Sequence, residues 1–300
     1  MSSDHGTVAA TIESCAEALP TVTPKAYDCV QSNLALLANV SRGPEAALRL
    51  GRHLVVVARP LGNGLCTLDP EPEAEVDRCE RLLGISAGRR SAVPAGRLAD
   101  HVVAARGVCY AVGDAFDMPW LPYHGRVRMS HGFLVGAGHD ESTAVVVDAY
   151  DNRTEWGPAV PGWWRLPWAA LAFPVQLWTQ WTVVAVPSPR SQVERRNVAA
   201  YVAALRAHED RVRSWEQLAV DTWLLARRHR LFALAHEDDA DLSSPAREAA
   251  ARCEGLATEV FLGLRRVRQG RRESSAVIDE MEQVLSLPLS PAREGTGAAL

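Results

Sequence analysis

The stretch "SHGFLVGAGHDESTAVVVDAY", residues 130–150, decides how this chain is read. Two β-rich runs, 130–138 and 143–150, flank the polar "HDES", the pattern of two strands joined by a hairpin turn. A histidine opens the first strand and Asp148 closes the second. A turn near 139–142 returns those two residues to the same end, where a carboxylate can hold an imidazole. A ring that titrates near neutral pH is costly beside apolar neighbours unless it has such a partner.

Further β-rich runs lie at 108–116 ("VCYAVGDAF") and 176–187 ("QLWTQWTVVAVP"), and "HLVVVA" (53–58) predicts another strand. Helical signals lie upstream. Residues 8–19 predict a short helix ended by Pro20 and Pro24. In "DCVQSNLALLANV", Leu34, Leu37 and Val40 form a helical stripe with Asp28 at the N-cap position. "EPEAEVDRCERLLG" has acid in front, arginine behind and a closing glycine, and 94–106 repeats the pattern. After Pro189 the β signal stops, and 191–286 is rich in Arg, Glu, Ala and Leu at helical spacing. Helices first, an antiparallel sheet second and a helical extension third make an α+β chain. The expected divisions are a domain over 1–188, a helical subdomain over 189–287 and a disordered tail over 288–300.

The 300 residues are 47% apolar and 23% charged, an ordinary globular composition with ample core. The formal charge of −4 argues against a general nucleic-acid binder. Lys25 is the only lysine, so the arginine abundance reads as coding bias. No apolar run reaches membrane-spanning length and the N-terminal stretch lacks a secretory layout, which makes cytoplasmic the expected location and a membrane partner unexpected. The six cysteines lack CxxC spacing and are expected to be free thiols, with no metal and no cofactor. His124, and His139 with Asp140, lie on turn segments without ligand spacing.

Among the cysteines, Cys29 alone falls in the first turn of an apolar helix, where thiolate is favoured. The competing reading is a packed, inert thiol. His131 could supply the imidazolium and Asp148 the group that orients it, against structural roles for both.

These pieces resemble the butirosin-biosynthesis acyltransferase family, itself related to papain-like, bacteriocin-leader-cleaving cysteine peptidases. The matching features are the thiol-bearing helix, strand-terminal Asp114, the Pro119/Pro122/Tyr123 segment, the Ser-His strand opening, the Gly-His-Asp turn and Asp148. The resemblance spans about residues 25–150. It implies a papain-like fold, a Cys29–His131–Asp148 triad, an acyl-cysteine intermediate, and an acyl or peptidyl carrier protein delivering the chain as a phosphopantetheine thioester. Where papain-like peptidases carry an oxyanion-hole Gln this chain has Thr23, which argues against peptide hydrolysis. Gln31, Asn33 or the Cys29 N–H could substitute.

Seven of the nine tryptophans fall between 120 and 181. "PGWWRLPW" is turn-rich, so Trp120, Trp163 and Trp164, with Tyr123, are expected to wall a substrate pocket, and Asp114 to stand near it. A dry aromatic wall would favour transfer to a nucleophile other than water. With no evident acidic patch for a polycationic acceptor, the expectation leans to Dieckmann-type ring closure, as in tetramate or pyridone release. The alternatives are amide formation on an amine acceptor, a leader-cleaving peptidase, and a non-catalytic binding module. The arginine runs 227–230 and 264–272 are expected to be solvated helix faces, with a dock for an acidic carrier as the other reading.

Overall fold

In the 130–150 stretch, Ser130–Ala137 (strand β3) and Thr143–Asp148 (β4) pair antiparallel from Leu134↔Val147 to Ala137↔Ala144. The turn closes by Gly138 N–H donating to the Thr143 carbonyl at 2.8 Å. Every residue of β3 from His131 to Gly136 is buried, as expected of a strand covered on both faces. This computed structural model describes residues 10–289 and the backbone pairing of Gly6–Thr7. It is an α+β protein, 47% helical and 23% strand.

The chain divides into two compact units. The first holds residues up to Arg49 and Glu71–Ser188. Its helices are α1 (Ile12–Glu17), α2 (Cys29–Arg42), α3 (Pro72–Leu83) and α4 (Leu98–Ala105). Its main strands are β1 (Ile85–Val93), β2 (Cys109–Asp114), β3, β4, β5 (Gly162–Pro167) and β6 (Val175–Val183). They form one antiparallel sheet in the order β1-β6-β2-β3-β4-β5, with Gly6–Thr7 also paired to β6. Helix α2 packs against α3 and β3, and every residue from Val30 to Asn39 is buried. A helix enclosed on all sides must carry a mostly apolar sequence, and its buried polar residues must find partners.

Two of the six main strands escape the sequence pattern. No element is predicted over 85–93, yet β1 pairs with β6 along its whole length. "ISAGRRSAV" has little intrinsic β preference, and the cross-strand partner supplies the order. "PGWWRLPW", expected to be irregular, is the edge strand β5 with prolines at its margins. Trp163 and Trp164 therefore face opposite sides of the sheet.

The second unit comprises Leu50–Pro70 and Pro189 onward, so the expected single domain over 1–188 is corrected. His53–Val57 pairs in parallel with Gln192–Arg196, a long-range contact that no local periodicity encodes. Helices α5 (Val198–Ala207), α6 (Arg211–Ala235), α7 (Ala240–Arg268) and α8 (Ala276–Ser286) complete it. Its core gathers Trp215, Tyr201, Phe232 and Leu54. Gly263 on α7 admits the Trp215 ring, which a Cβ would meet at 2.0 Å. Leu289, expected in a disordered tail, is buried in this core, while 290–300 lie outside the described residues. Of the two arginine runs, 227–230 is not a solvated face: Arg227, Arg228 and His229 are buried. Arg228 donates to the carbonyls of Val55 and Leu68 at 3.1 and 2.9 Å. In the other run, Arg265, Arg266, Arg268, Arg271 and Arg272 are exposed. No helix among the described residues is long and apolar enough to cross a membrane.

Candidate active site

Asp28 caps α2 by accepting the Gln31 N–H at 2.8 Å, and the Gln31 side chain accepts the Asp28 N–H in return, a capping box. Cys29 is thereby fixed at the first helical position, where backbone N–H groups have no intrahelical acceptor and the helix dipole favours negative charge. Cys29 is half-buried, and its Sγ lies 4.0 Å from the Ser130 carbonyl. Burial pushes the thiols of Cys15, Cys109 and Cys253 up to about 12.

Ser130 is followed by His131, 1% exposed. Its Nε2 meets Asp148 Oδ2 at 2.7 Å. Asp148 is equally buried and its two oxygens accept three further hydrogen bonds. Trp120 Nε1 donates to Oδ2 at 3.1 Å, while Asn33 Nδ2 and the Tyr150 N–H donate to Oδ1 at 3.2 and 3.0 Å. Burial alone would raise the Asp148 pKa, but the His131 charge and hydrogen bond, with the Tyr150 and Asn33 donors, hold it below the usual carboxylate range. Burial alone would likewise lower the His131 pKa. The Asp148 charge and hydrogen bond, with a smaller contribution from Cys29, outweigh it and raise the ring to about 10. With Nε2 committed to Asp148, the buried Nδ1 is the nitrogen left for the thiol. Nδ1 itself has no hydrogen-bond partner, the thiol included. Tyr150 packs edge-on against the imidazole, 5.1 Å between centroids, and its hydroxyl contacts that of Tyr123 at 3.3 Å.

The structure thus brings Cys29, His131 and Asp148 together, and corrects the expected substrate contacts. Gln31 Nε2 donates one hydrogen to Glu75 Oε1 at 2.8 Å, inside a buried cluster with Arg78, which turns the side chain toward α3. Asn33 Nδ2 has the carbonyls of Cys29 and Gly132, at 3.0 and 2.8 Å, besides Asp148 as acceptors, and its oxygen receives the Ala149 N–H. An amide with two hydrogens and three acceptors has no donor to spare. Asn33 instead ties α2 to the ends of β3 and β4. Trp120 serves the carboxylate, stacked on Trp164 and edge-on to Phe133. Tyr123 anchors Tyr150, and Trp163 is 54% exposed. Trp120, Tyr123 and Trp164 thus stand on the Asp148 side, and none of the expected aromatics lines the cavity next to Ser130. Thr23 is exposed, as are His124 and His139.

A cavity of about 650 Å³ at the Ser130 end of β3 is lined by Glu71, Pro72, Glu73, Val112, Gly113, Asp114, Arg128, Met129, Ser130, Gln176 and Trp178. Its link to Cys29 is Ser130, which both lines the cavity and lies against the sulfur. Asp114 accepts the N–H groups of Phe116 and Met129 at 3.0 and 3.1 Å and pairs with Arg128 at 2.8 Å, which holds its carboxyl below the usual range despite partial burial. Trp178, 2% exposed, is the aromatic of this cavity, and its Nε1 has no partner. Sequence reasoning missed Trp178, Glu71 and Glu73, which come from elements far apart in the chain. It also missed Tyr110, whose buried hydroxyl is unpartnered. A scan against protein-family models and a search of the curated proteins return no match for this chain.

Proposed function

We propose that the chain is a thiol-dependent acyl-transfer enzyme on a papain-like arrangement of helix and sheet, with Cys29 as nucleophile, His131 as proton carrier and Asp148 as the group that orients the ring. The observation that carries this reading is the division of the imidazole: Nε2 on a buried carboxylate at 2.7 Å, Nδ1 left to a thiol at a helix N-terminus. Such a ring takes the thiol proton and holds a thiolate–imidazolium pair. The thiolate attacks the carbonyl carbon of a carrier-protein thioester, and the Cys29 N–H faces the oxyanion that forms. The carrier C–S bond breaks and the departing sulfur takes the proton from His131, leaving acyl-Cys29. An acceptor then gives its proton to His131 and displaces Sγ.

For the acceptor we favour an amine, which the exposed Glu73 carboxylate on the rim of the cavity next to Ser130 can attract, over an apolar floor of Trp178 and Val112. Peptide hydrolysis has less support, because Thr23 is exposed and the Asn33 amide is fully engaged.

Intact mass after incubation with an acyl-loaded carrier protein tests the reading. An acyl adduct present in the natural chain and lost in Cys29→Ala is expected, with amide as product when an amine is supplied. A cyclic product without amine would shift the acceptor to an internal carbon. No adduct and no turnover with any thioester would refute acyl transfer.

A further inference from the structure

The capping box that opens α2 is itself held from outside the helix. The two ends of the Gln31 side chain have different partners. Its oxygen accepts the Asp28 N–H at 3.4 Å, and its nitrogen donates to Glu75 Oε1 on α3 at 2.8 Å. An N–H on one side and a carboxylate on the other allow only this orientation of the amide. Glu75 Oε1 also lies 3.8 Å from the Cys79 thiol. Arg78, one turn further along α3, grips the carboxylate with Nη2 on Oε1 at 2.5 Å and Nε on Oε2 at 3.0 Å. Hydrogen bonds therefore run from Arg78 through Glu75 and Gln31 to Asp28, the residue before Cys29.

Stability does not account for this pair. Glu75 and Gln31 are 4% and 2% exposed, and the buried Nη1 of Arg78 has no hydrogen-bond partner. Ions removed from water to this extent are often no better than apolar residues of similar volume. What the pair supplies is a fixed acceptor: Arg78 pins the carboxylate, and the carboxylate pins the Gln31 amide with its oxygen turned back to Asp28. A glutamate at position 31 would close the box as well. Glutamine closes it and keeps hydrogens for α3.

We propose that Glu75, braced by Arg78, is a positioning residue for Cys29: acting through Gln31, it keeps the first turn of α2 closed and the sulfur in place against Ser130. This rests on the reading of Cys29 as nucleophile. A first turn without its cap frays, and a sulfur that moves with it leaves the positive end of the helix dipole.

The test follows iodoacetamide alkylation of Cys29 against pH, in the full chain, by intact mass and peptide mapping. The half-buried Cys66 is the internal reference. Glu75→Leu with Arg78→Leu removes the pair without changing the net charge. Thermal stability is expected to hold. Cys29 alkylation at pH 6 is expected to fall about tenfold against Cys66, the scale of one lost hydrogen bond, and its profile to move to higher pH. Glu75→Asp keeps the charge facing Arg78 but draws it one methylene back from Gln31, and should slow Cys29 several-fold. It decides the question if the double-leucine chain does not fold. Exchanging the two ends, Gln31→Glu with Glu75→Gln, leaves a carboxylate that accepts both the Asp28 N–H and the amide opposite, and should restore the natural rate within about twofold. A natural profile in Glu75→Asp or in the folded double-leucine chain would overturn the role of Glu75 while leaving the nucleophile intact. So would an exchanged chain that is as slow as the others or does not fold. Natural-sequence Cys29 reacting no faster than Cys66 would overturn both readings.

Discussion

Asp148 in the first unit and Asp221 in the second are both buried carboxylates, 1% and 0% exposed, and both accept several hydrogen bonds. Asp221 receives the Thr67 hydroxyl and the Leu68 N–H at 2.8 Å each, and the Gln217 amide at 3.1 Å. Yet Asp148 is held below the usual range, whereas burial lifts Asp221 to about 6 against the pull of its donors. The difference is one cation. Asp148 faces a protonatable ring, whereas Thr67, Leu68 and Gln217 bring Asp221 no charge. Burial determines how strongly a carboxylate responds to its surroundings, and the counter-charge decides the direction.

Removing that charge is the most severe way to break the comparison. Asp148→Asn keeps a hydrogen-bond acceptor for the ring but not the counter-ion, and should slow acyl-adduct formation roughly 10³–10⁴-fold in rapid-quench measurements. A loss under tenfold would remove Asp148 from the chemistry. His131→Ala leaves a buried carboxylate without its cation, turning Asp148 into a second Asp221. Urea denaturation at pH 7 should show a loss of about 3–5 kcal/mol. Part of that loss should return at pH 5, where the newly raised carboxyl takes up a proton. In the natural chain the sign is reversed for Asp148, while His131 keeps the direction of a raised group. The His131 contribution is complete below its ordinary 6.5 and fades as pH rises through about 10, while that of Asp148 is present above its ordinary 3.8 and fades as pH falls below it.

For Asp221, raised from 3.8 to about 6, the contribution is complete below 3.8 and is lost as pH rises through 6. A gap of two pH units corresponds to about 3 kcal/mol. The stability difference between the natural chain and Asp221→Asn should change by about that much between pH 3.5 and 7, and a flat difference would contradict the raised carboxyl. The mildest change sharpens the picture rather than breaking it. Trp120→Phe removes one donor from Asp148 Oδ2 and keeps most of the ring stack, so a loss of about 1 kcal/mol and a several-fold slower adduct are expected.

The residues that meet at the candidate site were legible because each carries a local signal. Asp28 before an apolar helical stripe marks the helix start, and the residue after it must occupy the first turn. His131 and Asp148 stand at the two ends of a hairpin only 17 positions apart, so alternation and a polar turn bring them level. Their surroundings were not legible. Asn33 resembles an oxyanion donor in sequence, and only its contacts with two carbonyls and a carboxylate reveal that it has nothing left to donate.

By itself, then, the sequence determined the α+β class, the start of α2, the central hairpin and the residue types that face one another there. The tertiary structure decided the rest: which donors saturate Asp148, where the cavity opens, and that Leu50–Pro70 belongs with the chain beyond Pro189. Periodicity and capping encode neighbours a few residues apart. Pairings such as His53 with Gln192 or Trp178 with Arg90 join distant segments whose energies depend on who arrives opposite, and nothing local specifies that.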